Sequence, residues 1–101
     1  MGATDFINFG VGSDAKEAFS TLVSSAKYEN GHGGYTGTIA EKSSFVMITP
    51  PSTVDVSDKR QVRDYIDTLL DDDESSISDK WGPAGCIKTA EGYYFFGWAA
   101  E

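Results

Sequence analysis

The sequence predicts an α+β fold in which two helices cover one face of a mainly antiparallel sheet, in the order β-α-β-β-α-β-β. Two segments repeat apolar residues at the helical period, and short apolar runs bounded by glycine or proline surround them. The two halves, about 13–49 and 58–98, align as a helix followed by a hairpin, which indicates an internal duplication. The 101 residues form one domain, 1–101, because two would each bury too little apolar surface.

The first strand and the first helix are predicted from the opening residues. Phe6 to Val11 is a short apolar run, which is typical of a strand. A helix is predicted over 14–28, where Asp14 and Glu17 have the spacing of a capping box and Asn30 begins a left-handed stop. Its apolar face consists of Ala15, Ala18, Phe19, Leu22, Val23 and Ala26.

A hairpin is predicted after this helix. Tyr35 to Ile39 and Phe45 to Ile48 have the composition of strands, and residues 41–44 form a polar connection between them. Pro50 and Pro51 end the second of these strands, because proline lacks the N–H that a ladder requires.

The second half repeats this plan. A helix is predicted over 58–71, and its apolar face is formed by Val62, Tyr65, Ile66, Leu69 and Leu70. Strands are predicted near Ala84 to Lys88 and Tyr93 to Trp98, joined by a turn over 89–92.

The last strand is apolar on both faces. Tyr94, Phe96 and Trp98 point one way, and Tyr93 and Phe95 point the other way. With both helices on one face, one aromatic set would be exposed, which favours an interface. We therefore expect Tyr94, Phe96 and Trp98 to form the interface of a homodimer. Two alternatives are contact with another partner and cover by the loop that contains Trp81.

Composition excludes several classes of function. The net charge of −8 repels nucleic-acid phosphates and anionic lipids, so we expect no direct nucleic-acid or membrane binding. The single cysteine excludes an internal disulfide and a cysteine-based zinc site, and the single histidine excludes any site that needs two. No cofactor or metal is expected. Neither a secretory pattern nor a membrane-spanning run is found, so we expect a cytoplasmic protein.

A glycine-rich segment over residues 28–37 contains the only histidine. Glycines allow backbone N–H groups to approach a ligand, and His32 could carry a proton at neutral pH. The alternative interpretation is a helix stop followed by a bulged strand, because phosphate-binding loops precede a helix whereas this segment follows one. The candidate ligand-binding residues are Tyr28, His32, Gly33, Gly34, Tyr35 and Thr36.

This segment also carries a resemblance. The stretch YENGHGGYTGTIAEK, Tyr28 to Lys42, resembles a segment found in small uncharacterised proteins of phages and bacteria, most closely from Gly31 onwards. The resemblance implies a phage origin, and it implies no activity or catalytic residue.

An acidic surface is predicted along the second helix. Asp64, Asp67, Asp71 and Glu74 are spaced to lie along one side, and Asp72 and Asp73 add to their charge. Three interpretations stay open. The acids form a solvated face, or they form a docking surface that mimics nucleic-acid phosphates and so attracts a basic partner, or they form a divalent-cation site, although no EF-hand pattern is present. The basic residues Lys59, Arg60 and Arg63 are expected to pair with these acids on the helix surface.

The sequence favours a non-enzymatic acidic binding protein that inhibits or modulates a macromolecular partner, as a phage-encoded inhibitor would. No catalytic residue is assigned. The alternative is a small-molecule-binding protein or small enzyme centred on His32, for which Cys86 and His32 are a candidate nucleophile and base. A mid-strand cysteine such as Cys86 is also typical of a small buried apolar residue. A purely structural subunit is a third interpretation.

Overall fold

The computed structural model describes residues 2–30, 36–72, 77 and 80–100. The elements are β1 (Ala3–Gly10), α1 (Ala15–Asn30), a 3-10 helix (Ile39–Glu41), β2 (Phe45–Met47), α2 (Lys59–Leu70), β3 (Ala84–Lys88) and β4 (Tyr93–Ala100). The α+β class is confirmed, and these helices and strands follow one another in the predicted order. The segment predicted as the second strand differs and is described below. No helix among the described residues is long and apolar enough to cross a bilayer.

The sheet has four strands in the order β1-β4-β3-β2. β4 lies between β1 and β3 and is antiparallel to both, with Ala3 opposite Ala100 and Gly85 opposite Phe96. β2 pairs with β3 in parallel, and Phe45 lies opposite Ala84. The sheet is therefore mainly antiparallel, as predicted, with one parallel pairing added at its far edge.

The two helices lie on opposite faces of this sheet, which corrects the prediction that both cover the same face. α1 packs on the side where Phe6, Cys86 and Phe95 point. α2 packs on the side of Tyr94 and Phe96. The physical reason is the two-sided apolar character of β4, whose alternate residues need cover on both faces. The alternation predicted for β4 is itself confirmed.

The segment predicted as the second strand takes a different form. Within the described part of Tyr35 to Ile39, no residue is in a strand, and Ile39 begins the 3-10 helix. Thr36 donates from its backbone N–H (3.1 Å) and its hydroxyl (2.8 Å) to the Glu41 carboxylate. Gly37 has a φ of 69°, a left-handed conformation that favours glycine. These local bonds fold residues 36–41 on themselves, so the predicted hairpin with β2 does not form.

The two proposed repeats therefore differ in structure. The second contains α2 followed by the hairpin of β3 and β4, as predicted. In the first, β2 joins the sheet through a parallel crossover that includes α2, and it pairs with β3 rather than with its own neighbour in the chain. The helix-plus-hairpin unit is thus present once among the described residues.

Lys42, predicted to lie in a polar connection, is buried. Its Nζ donates to the carbonyls of Gly82 (2.9 Å) and Lys80 (3.2 Å). These bonds join the 3-10 helix to the chain that leads into β3. Satisfied donors make the burial of this ammonium group tolerable.

Both helices begin at side-chain caps, as the sequence predicts for α1. Asp14 accepts from the backbone N–H of Glu17 at 2.8 Å, and the Glu17 carboxylate accepts in return from Ser13 rather than from Asp14. Asp58 accepts from the backbone N–H of Arg60 at 3.0 Å and precedes α2. Such caps satisfy backbone donors that have no partner inside the helix.

Candidate functional site

The aromatic residues expected at an oligomer interface lie inside the protomer. Tyr94 and Phe96 are buried against α2. Trp98 is half-buried, and its indole N–H donates to the carbonyl of Leu70 at 2.9 Å, at the last residue of α2. The exposed aromatic face on which the interface prediction depends is therefore absent. Trp81 does not supply the cover, because 63% of its surface is exposed.

The acidic residues of α2 face solvent. Asp64, Asp67, Asp71 and Asp72 are exposed, while Asp73 and Glu74 lie outside the described residues. Among the described residues, no hydrogen bond or ion pair engages the side-chain carboxylates of Asp64, Asp67 and Asp71. These three carboxylates are therefore exposed to solvent.

The basic residues near the start of α2 do not neutralise these acids. Lys59, Arg60 and Arg63 are exposed, and no ion pair joins them to the acids described in α2, so the predicted pairing is not found. The charge of α2 is consequently divided, with cations in its first half and Asp71 at its C-terminal cap. A carboxylate at that end opposes the helix dipole, so helix stability does not explain its presence.

The glycine-rich segment is only partly described. His32, Gly33, Gly34 and Tyr35 lie outside the described residues. Tyr28 stands on the last turns of α1 with 91% of its surface exposed. Within the described residues, the Thr36 hydroxyl is bonded to Glu41, and also lies 2.8 Å from the Thr38 hydroxyl. The structure thus gives Thr36 a structural role in the turn, and no hydrogen bond joins it to Tyr28.

An open cleft of about 410 Å³, here called the α1 cleft, lies between α1 and β1. It is lined by Phe6, Ile7, Asn8, Leu22, Ser25, Ala26, Glu29, Gly37, Thr38 and Ile39. Its volume is in the range of small-molecule sites, and a few polar groups stand among apolar ones, as in such sites. The sequence does not predict this cleft, because Leu22 and Ala26 have the spacing of ordinary core residues of α1.

A second cleft, here called the α2 cleft, lies on the other face of β1. Its volume is about 270 Å³, and it is lined by Asp5, Phe6, Ile7, Arg63 and Asp67. Three charged side chains therefore meet at the edge of the sheet. Arg63 and Asp67 are four residues apart on α2, which places them on the same side of the helix.

Cys86 does not have the environment of a nucleophile. It lies in β3 on the α1 face and is buried. Burial raises the pKa of its thiol to about 11, so the reactive thiolate is rare at neutral pH. These features favour the interpretation of Cys86 as a small apolar core residue, and its candidate base, His32, lies outside the described residues.

Metal ligands are not clustered in the described part of the chain, where no group of three or more histidine, cysteine, aspartate or glutamate side chains is suited to hold an ion. Comparison with known protein families, curated proteins and solved structures gives no match. The resemblance of the glycine-rich segment to phage and bacterial proteins therefore stays a prediction.

Proposed function

We propose that this protein is a non-enzymatic acidic binding protein that docks a basic partner protein through the solvent face of α2. The observation that carries the proposal is the exposure of Asp64, Asp67 and Asp71 without a partner among the described residues. None of the three forms an ion pair among the described residues, and the whole chain carries a net charge of −8. Such a surface attracts a cationic partner at long range and accelerates its association.

The packing of α2 supports a rigid docking surface. Val62, Ile66 and Leu70 are buried on the sheet-facing side, and Asp58 caps the first turn. The Trp98 indole holds the last turn through the Leu70 carbonyl. Rigid presentation lowers the entropy lost when a partner binds.

The proposal extends to the type of partner. Exposed carboxylates spaced along a helix offer a basic protein the charges that it would otherwise meet on nucleic-acid phosphates. An inhibitor that occupies the basic site of a macromolecular partner fits this chemistry. The resemblance of Tyr28 to Lys42 supports a phage origin, and as part of the same proposal we place the protein in the cytoplasm.

The test compares two variants that change the net charge equally. Asp64→Asn with Asp71→Asn neutralises the α2 surface, while Glu29→Gln with Glu91→Gln neutralises two exposed acids elsewhere. Proteins captured from bacterial lysate by the native chain are identified, and their affinity for each variant is then measured by calorimetry at low and high salt. We expect the α2 variant to weaken binding about tenfold or more, and the control variant to weaken it little.

Two results would contradict this proposal. One is equal loss of affinity in both variants, which would indicate only a general charge effect. The other is capture of no protein.

The alternative function, a small-molecule-binding protein, is favoured by the α1 cleft. Its volume of about 410 Å³ and its polar residues Ser25, Glu29 and Thr38 suit a small polar ligand. The test is mass spectrometry of small molecules released from the purified native protein and from a Leu22→Trp variant, whose indole would fill the cleft. A compound released by the native protein alone would support the alternative.

A further inference from the structure

β1 is an edge strand with one side open. It is the terminal strand of the sheet, and within the described part of the chain no strand borders it opposite β4. It is eight residues long and contains neither proline nor lysine, the residues that usually protect such an edge. An edge strand of this length, with Asp5 as its one charged residue, is a template for pairing with another strand.

The ladder shows which backbone groups face outward. In the β3–β4 hairpin, Thr89 donates to the Gly92 carbonyl at 2.8 Å. Hydrogen-bonded pairs alternate along an antiparallel ladder, so the even-numbered residues of β4 bond toward β3. The Ala100 carbonyl continues this pattern, since it accepts from Gly37 at 2.8 Å on that side. The odd-numbered residues of β4 therefore bond toward β1.

The register with β4 then fixes the outer edge of β1. The odd-numbered residues of β4 lie opposite the even-numbered residues of β1, which use their N–H and C=O groups in that ladder. The alternate residues direct their N–H and C=O groups away from the sheet. These outward-facing residues are Ala3, Asp5, Ile7 and Phe9.

Clefts adjoin β1 on both faces of the sheet, at the same level. The α1 cleft and the α2 cleft both reach Phe6 and Ile7, at the middle of β1. An added strand projects its side chains alternately to the two faces. The clefts therefore leave room for the side chains of a strand centred on Phe6 and Ile7.

The α2 cleft places charges of both signs at this edge, because Arg63 lines it together with Asp5 and Asp67. Arg63 and Asp67 both line the α2 cleft at the level of Phe6 and Ile7. A two-fold axis at this level, perpendicular to the sheet, reverses the direction of α2 in the second copy. Arg63 of each copy then faces Asp67 of the other copy, so the axis relates two Arg63–Asp67 pairs. A symmetric interface needs this type of self-matching surface.

We infer that β1 pairs antiparallel with β1 of a second copy of this chain, so that two four-stranded sheets join into one sheet of eight strands. The symmetry axis passes at Phe6 or Ile7, because only registers that place odd-numbered residues opposite odd-numbered residues connect the outward groups. In both registers the Asp5 N–H donates to a carbonyl of the second copy. The interface differs from the one expected at Tyr94, Phe96 and Trp98, and the inference does not depend on the proposed function.

The first test compares Asp5→Pro with Asp5→Ala by sedimentation equilibrium. The native chain is expected to reach twice its 10.9 kDa mass as concentration rises. Both variants lose the carboxylate, but only proline loses the outward N–H, and this N–H is not used in the β4 ladder. Loss of two symmetric hydrogen bonds raises the dimer dissociation constant by about thirtyfold in Asp5→Pro. Asp5→Ala is expected to dimerise as the native chain does.

The second test exchanges the charges of the α2 cleft. Arg63→Glu alone and Asp67→Arg alone place like charges across the axis and are expected to weaken the dimer. The double variant Arg63→Glu with Asp67→Arg restores opposite charges and is expected to recover the native dissociation constant. Circular dichroism and the melting temperature of each variant, taken at low concentration, separate a lost interface from a lost fold.

Three outcomes would overturn the inference. They are a native chain that stays monomeric into the millimolar range, a dimer that Asp5→Pro leaves intact, and a charge exchange without recovery. The Asp64→Asn and Asp71→Asn variant used for partner docking does not alter the cleft residues, so the dimer is expected to survive it. Failure of partner docking and failure of dimerisation are therefore distinguishable.

Discussion

Gly85 offers a sharp test of how the α2 face of the sheet is packed. It lies in β3 opposite Phe96. A Cβ atom on Gly85 would lie 2.6 Å from Cε2 of Phe96, which is 0.8 Å short of the 3.4 Å at which ordinary contact begins, and 2.9 Å from Cδ1 of Ile48. Phe96 is 0% exposed, so its ring has no solvent-side space into which to move. The ring therefore fills the space that the glycine leaves.

The magnitude follows from two opposing terms. Overpacking a well-filled core costs about 1–3 kcal/mol. Replacing a strand glycine by alanine stabilises the folded state by roughly 0.5–1 kcal/mol, because it lowers the entropy of the unfolded chain. We expect Gly85→Ala to lower the free energy of unfolding by about 1–2 kcal/mol, measured by urea denaturation.

A second variant isolates the clash. Phe96→Leu removes the ring atoms that a Cβ on Gly85 would meet, so the cost of Gly85→Ala is expected to fall below about 0.5 kcal/mol in that background. Equal costs in both backgrounds, or a Gly85→Ala variant more stable than the native chain, would refute this account of the packing.

Three further predictions concern stability. Trp98→Phe removes the donor to the Leu70 carbonyl and is expected to cost about 1 kcal/mol in urea denaturation; no loss would mean that water replaces the bond fully. Asp14→Ala removes the cap of α1 and is expected to cost about 0.5–2 kcal/mol, with Glu17→Gln costing less because its amide oxygen still accepts. The raised pKa of Cys86, about 11 against 9.0, favours the folded state below pH 9, and this stability is lost as pH rises from 9 to 11. Cys86→Ala is therefore expected to reduce the fall in the free energy of unfolding between pH 9 and pH 11. An equally steep fall in this variant would mean that other titrating groups cause it.

Helical periodicity predicted the helices well. The apolar faces of α1 and α2 predicted the ends of both helices to within about two residues. Asp14 caps α1, as predicted. Alternation in β4 was also predicted correctly. These features depend on residues close together in the chain, so local spacing contains the information.

The misassigned features depend on contacts that are distant in sequence. Nothing in the spacing of Phe45 to Ile48 shows that this strand pairs with β3 in parallel rather than with the preceding segment. The hydrogen bonds between Thr36 and Glu41 fold residues 36–41 into a turn, although the composition of this segment suits a strand equally well. The aromatic residues Tyr94, Phe96 and Trp98 indicate that this face of the sheet is covered. Their alternation alone does not show whether α2 or a second molecule covers it.

The two clefts were missed for a similar reason. Asp5 and Arg63 are distant in sequence and meet only because β1 pairs with β4 and α2 crosses its face. The charge pattern of α2 predicted its exposed carboxylates, because an acidic residue opposite an apolar stripe is solvated in any fold of this class.

The pairing of β1 with β4 has a consequence for folding kinetics. The first described strand has the last described strand as its partner, so Ala3 and Ala100 must meet before β4 is paired on both of its sides. Closing so long a loop costs entropy before any contact offsets it, and it gives the fold a high contact order. We expect the β3–β4 hairpin to form early and the docking of β1 to limit the folding rate. A circular permutant that joins the ends and opens the chain in the 89–92 turn would reverse this order.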